Sequence, residues 1–253
     1  MSSPVVVLLL AAGLAAVHAF ASKLRLLRVI PRSQYLSLAG GISVAYVFVH
    51  LLPEITEHQA EIMERSGETA RLVAATSERA LFLVALAGFA VFYGLERLVV
   101  QSRRRSHADR RAGDDESEPH PGIFWLHVGS FAVYNVLIGY FLLHREETGL
   151  VNLLLYTTAM ALHFVVNDHG LREHHRRAYL RWGRWILAGA VFVGAFVGLF
   201  VGVPETLLGL LLAFLSGGVI LNVIKEELPE NRESNFWAFG VGVAGYTTVL
   251  LLV

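Results

Sequence analysis

The chain has no cysteine. Disulfides and thiolate metal sites are thereby excluded, and any metal site must use His, Asp, Glu, Asn or water. Charge is also scarce: 17% of the 253 residues are Asp, Glu, Lys or Arg, against roughly 25% in an ordinary soluble domain. The formal net charge is zero, which removes the electrostatic case for a nucleic-acid partner. What fills the chain instead is apolar. Hydrophobic residues make up 55% of it, mean hydropathy is +0.53, and the charges bunch between long apolar runs. A run of about 18 or more apolar residues reads as a membrane span.

Eight spans are expected: Pro4–Ala21, Tyr35–Leu52, Glu78–Val100, Gly122–Leu143, Gly149–Asn167, Gly183–Val203, Thr206–Ile224 and Phe236–Val253. The expected fold is therefore an all-α integral membrane protein forming a single transmembrane domain. Gln101–Pro121, rich in Arg, Asp, Glu, Ser and Pro, reads as a disordered loop. Met1–Ala21 ends in small residues, as signal peptides do. It lacks a positive n-region and its basic flank follows the apolar stretch, so it reads as an uncleaved first span. Lys and Arg set the orientation. The loops after spans one, three, five and seven carry 17 of the 21. Those loops are placed in the cytoplasm, and both termini outside.

Span two contains Gly40-Gly41 and ends His50-Leu-Leu-Pro53-Glu54. Span seven contains Gly217-Gly218 and runs on to Glu226-Glu227-Leu-Pro229-Glu230. The two segments run in opposite directions, which is the sign of an inverted-topology repeat. Spans one to three then mirror spans six to eight, with four and five between them.

Ionisable groups inside spans cost about 2.5–3.5 kcal/mol each on insertion scales, so each invites a functional hypothesis. His50 and Glu54 share one face at the outer mouth through their i,i+4 spacing. Span four holds His127, Tyr134 and Asn135, and His127 reads first as an interhelical hydrogen-bonded contact. Span five holds His163, followed by Asn167, Asp168 and His169. His163, Asn167 and His174 form one stripe if the helix continues through Gly170. Span seven has Asn222, then Lys225, Glu226 and Glu227 near its inner end. Imidazole nitrogen with carboxylate or amide oxygen suits zinc, iron or manganese.

These residues resemble a family. Gly41 to Glu54, with its His-Leu-Leu-Pro-Glu ending, is similar to the second helix of ZIP metal transporters. Gly198 to Glu230 is similar to their sixth and seventh helices. Eight spans, exterior termini, a long third loop and a 3+2+3 inverted repeat are the ZIP plan, and the resemblance covers most of the chain. It implies a transporter of a divalent cation of the zinc, iron or manganese class, in a prokaryotic inner membrane. No enzyme activity and no obligatory cofactor are implied, with Zn²⁺ or another divalent metal as the substrate. The bilayer and that ion are the partners, and a homodimer is left open.

Bacterial ZIP proteins typically carry His-Asn-x-Pro-Glu-Gly in both central helices. Here span four reads Tyr134-Asn135-Val136-Leu137-Ile138-Gly139, and span five His163-Phe164-Val165-Val166-Asn167-Asp168. The resemblance thus carries over Asn135 and His163, with Asn167 in the Glu position and Asp168 one residue away. Both prolines are missing. These four form the expected metal set, His50 and Glu54 the entrance, and His169, His174 and Glu226 the exit. By helical rise, Asn135 lies about 20 Å from the inner end of span four and His163 about 20 Å from the outer end of span five. In a core about 30 Å thick they are expected at depths several ångströms apart.

Two alternatives stand beside transport. A ZIP-like scaffold that has lost the motif would act as a sensor or partner subunit. A histidine-box enzyme is prompted by His169-Gly-Leu-Arg-Glu-His174-His175, but His18, His50, His58 and His144 are placed toward the opposite face.

Overall fold

The computed structural model describes residues 3–20, 32–54, 56, 80–111, 121–145, 149–227 and 235–253. Eight principal helices run through them. They are α1 (Pro4–Phe20), α2 (Arg32–Tyr46), α3 (Ala80–Arg111), α4 (Pro121–Tyr140), α5 (Leu150–His174), α6 (Arg184–Phe200), α7 (Glu205–Glu227) and α8 (Phe236–Leu251). There is no strand among the described residues. Six helical stretches are long and apolar enough to cross a bilayer; α1 and α8 are apolar but shorter, at 17 and 16 residues.

Local chemistry sets the helix ends. Pro4 and Pro121 open α1 and α4, where a missing N–H costs nothing. Gly149 precedes α5 at φ 141°, a conformation that favours glycine. The Asn235 side chain caps α8 by accepting from Ala238 N–H at 2.9 Å. Asn235 N–H donates to Ser37 Oγ at 3.0 Å, which ties that cap to α2. Tyr140, at the end of α4, clamps the short α6–α7 connection: its hydroxyl donates to Val201 O and accepts from Val203 N–H. Two helices contain π turns. Val47–Leu51 continues α2 toward Glu54, and Tyr179–Gly183 leads into α6.

Three helix pairs approach through glycine: α2 with α8, α4 with α6, and α3 with α7. A Cβ on Gly41 would collide with the Phe239 carbonyl, and one on Gly242 with that of Leu38. Gly217 faces the Ala85 carbonyl, and Gly88 that of Phe214. Gly139 faces the Val191 carbonyl, and Gly194 that of Val136. Each glycine thus meets the carbonyl three residues before its partner glycine. Small residues let backbones approach in this way where lipid offers no hydrophobic drive between helices.

The polarity of the bundle suits a bilayer. Outward faces carry large apolar side chains such as Leu83, Val133, Phe196, Phe200 and Val241, while His18, Asn135, His163, Asn167 and Asp168 are buried. The four tryptophans of the chain, Trp125, Trp182, Trp185 and Trp237, are at least half exposed and sit at the starts of α4, α6 and α8. They therefore lie at one end of the bundle, the end of the basic loops, and form the kind of belt that marks a membrane–water interface.

The expected spans differ from the helices in two places. Residues 101–111 of the stretch expected to be disordered are helical, because α3 runs on to Arg111 through a segment without Pro or Gly; residues 112–120 lie outside the described residues. Helix α5 does not stop at Asn167 but continues seven residues to His174. Its polar Asn167-Asp168-His169 run is not a solvated helix end, since all three side chains are buried against other helices.

Candidate functional site

The centre of the bundle is a polar junction of α1, α4 and α5. His18, in the last turn of α1, is 2.8 Å from Asp168 through Nδ1 and 2.8 Å from Asn135 through Nε2. The Asn135 amide nitrogen donates to His18 Nε2 and also faces Leu187 O at 3.4 Å. Two acceptors on one side fix the amide's orientation, with Nδ2 toward His18 and Oδ1 away. His18 Nε2 is then an acceptor, so the ring proton sits on Nδ1 and is donated to Asp168 Oδ1. The imidazole stacks at a tilt on Phe164, ring centroids 4.2 Å apart. The Tyr179 hydroxyl, on the π turn before α6, faces the same carboxylate without a hydrogen bond of normal geometry.

Beside this junction, the Tyr134 hydroxyl meets His163 Nε2 at 3.2 Å. The Tyr134 ring packs on Phe92 and Phe131. Gly218 makes room for it, since a Cβ there would crowd the rings of both Tyr134 and Phe92. The second glycine of the Gly217-Gly218 pair thus shapes the centre, while the first sets the helix crossing.

Several buried polar atoms here have no hydrogen-bond partner: Asp168 Oδ2, Asn135 Oδ1, both polar atoms of the Asn167 amide, and His163 Nδ1. Each such group costs about 1–3 kcal/mol. Four of these five atoms lie on α5 between His163 and Asp168, and one lies on α4. The set is rich in oxygen, holds one carboxylate, and fits a small polar or cationic guest.

Of the expected metal set, all four residues are buried. Asn135 and Asp168 are joined through His18, while His163 contacts Tyr134. The extra seven residues of α5, about 10 Å of rise, lie beyond Asn167 and leave His163 13 residues from the helix start. Tyr134, the neighbour of Asn135, now contacts His163 directly. His18 is the residue that sequence reasoning missed. It was placed toward the face opposite His169, whereas it meets Asp168, the residue next to His169. A histidine in the last turn of an apolar helix was the available signal, but its partner is 150 residues away.

At the other end, His50 lies on the π turn of α2 and packs on Tyr46, centroids 4.9 Å apart. Glu54 is buried one turn on. The π turn interrupts the simple i,i+4 register expected for this pair. Tyr46 also touches Tyr156 and Tyr246, and Arg145 lies over the Tyr156 ring at 5.3 Å, so the mouth is aromatic. Of the expected exit residues, His169 is buried. The side chains of His174 and Glu226 lie outside the described residues. Among the described residues, no group of three or more His, Cys, Asp or Glu is placed to hold a metal ion.

Comparison with protein-family models, with curated proteins and with solved structures finds no match to this chain.

Proposed function

We propose that the chain is a membrane transporter of ZIP-like plan, moving a divalent cation of the zinc, iron or manganese class through the core between α1, α4 and α5. The observation that carries this reading is Asp168. One of its oxygens is held by His18, and the carboxylate is buried in the bundle, on the opposite side of that imidazole from Asn135. A dication leaving water needs an anionic ligand to offset desolvation. The motif positions offer none, and Asp168 supplies one next to them.

The eight-span, inverted-repeat plan is part of the same proposal. At about 1.5 Å per residue, α1 and α8 reach about 26 and 24 Å, close to a hydrocarbon core of about 30 Å. An inverted repeat relates α2 to α7 and α8 to α3, and the reciprocal crossings Gly41/Gly242 and Gly217/Gly88 match under that relation. Aligning Gly41 with Gly217 also puts Pro53 and Pro229 both 12 residues further on. The basic, tryptophan-ringed end then faces the cytoplasm of a prokaryotic inner membrane, with both termini outside.

Uptake by the purified protein in liposomes tests the reading. Zn²⁺, Fe²⁺, Mn²⁺ or Cd²⁺ should accumulate, and Asp168→Asn should cut the rate at least about tenfold, the result of losing about 1.4 kcal/mol of charge stabilisation. No flux of any of the four ions would sink it. The lack of a three-ligand cluster among the described residues favours a second reading, a non-transporting sensor or partner subunit. A stable partner recovered with a protein that binds no ion at Asp168 would select that reading.

A further inference from the structure

A second group of titratable side chains lies nearer the basic end and takes no part in the junction around His18. We infer that it is a separate cation site, with His127 and His175 as its protein ligands. His127 projects from α4, and His175 follows the last residue of α5. His127 Nδ1 and His175 Nε2 face each other at 3.3 Å. In a tetrahedral site with metal–nitrogen bonds of about 2.0–2.1 Å, two nitrogen ligands stand about 3.3 Å apart. The rings cross at 71° with centroids 5.5 Å apart, so they meet nitrogen to nitrogen rather than face to face.

The surroundings support the assignment. Glu96 Oε2, from α3, lies 4.0 Å from His127 Nε2, the nitrogen turned away from His175. At 4.0 Å this carboxylate lies beyond direct hydrogen-bond reach and places a negative charge behind the imidazole, which favours a cation on the facing side. The same oxygen accepts from Lys225 Nζ of α7 at 2.8 Å, which holds the carboxylate in place. Phe124 and Phe131 pack edge-on or tilted against the two imidazoles and limit their rotation.

Two imidazoles with water in the other positions select borderline divalent ions such as Zn²⁺, Co²⁺, Ni²⁺ and Cu²⁺ over Mg²⁺ and Ca²⁺. The donor set differs from the oxygen-rich junction at Asp168. Asn135 and His127 are also eight residues apart on α4, about 12 Å of rise. The two places are therefore distinct, and this one does not depend on whether ions cross the membrane.

The test uses the full-length chain in detergent micelles, titrated with Co²⁺ and followed by its visible d–d absorption, with Zn²⁺ as competitor. The wild type should develop a band that Zn²⁺ abolishes and excess Mg²⁺ does not. His127→Gln and His175→Gln should each abolish the band, and the double variant should lose no more than either. Glu96→Gln should weaken binding by about tenfold while keeping the band, as expected of a partner behind the ligand. Asp168→Asn should leave it intact. Thermal melting of the metal-free variants at the wild-type temperature excludes misfolding as the cause of loss. An undiminished band in His127→Gln, or a wild type that binds no more Co²⁺ than the double variant, would overturn the site. The latter result is the one expected if the two rings share only a hydrogen bond. Transport can fail with this binding intact, and binding can fail with transport intact, so the two proposals are separable.

Discussion

His18 shows what one buried side chain can organise. It joins three helices through two ring nitrogens, and it makes the 2.8 Å contact that holds Asp168 Oδ1. Removing it leaves a carboxylate buried without compensation, which costs about 3–5 kcal/mol. Replacing both partners by apolar residues removes the stranded charge as well. The thermal midpoint in micelles should therefore fall sharply for His18→Leu, and His18→Leu with Asp168→Leu should recover part of the loss. If the double variant is no more stable than the sum of the two single losses predicts, the pair is not coupled. Part of this centre was legible in the sequence, because Asn135, His163 and Asp168 are polar residues in apolar runs and insertion cost alone marks them. His18 was not legible as their partner, because the register of α1 against α5 is set by packing between segments 150 residues apart. Glu96 stayed hidden for the same reason. Lys225 was visible near an inner helix end, but nothing in the sequence says which acid on which helix answers it.

At the scale of the helix, hydropathy located all eight principal helices, since length and apolarity decide existence. It misjudged the end of α5, which runs on from Asn167 to His174 with Asp168 and His169 buried. Glycine was legible as a pair in spans two and seven, but not the division of labour within it. Gly217 meets backbone and Gly218 meets rings, and this difference is measurable. Gly217→Ala drives a methyl into the Ala85 carbonyl, which cannot move aside, and should cost about 1–3 kcal/mol. Gly218→Ala meets the side chains of Tyr134 and Phe92, which can shift, and should cost less. Gly13→Ala, with open space around it, should be neutral or stabilising by up to about 1 kcal/mol. Melting temperatures of the three variants in one detergent give the order directly, and a Gly13→Ala protein as unstable as Gly217→Ala would contradict it.

For the whole molecule, the absence of cysteine is an experimental opening: single cysteines at Ser3 and Gln101 report the proposed orientation without background. A membrane-impermeant maleimide should label Ser3→Cys in intact cells and Gln101→Cys only after permeabilisation; the reverse pattern would invert the orientation. The glycine crossings bear on motion. In α2/α8, α3/α7 and α4/α6 each chain sets its carbonyl into the other's notch, as a key sits in a keyway. A slip by one residue would bring a side chain where only hydrogen fits, so the register within each pair is fixed. Gly13 of α1 has open space around it and makes no such key. Helices α1 and α5 meet through His18, which contacts both Asp168 and the Phe164 ring. The side chain that anchors the polar centre is therefore also one that docks α1 against α5, so the register of that helix pair and the geometry around Asp168 are set together.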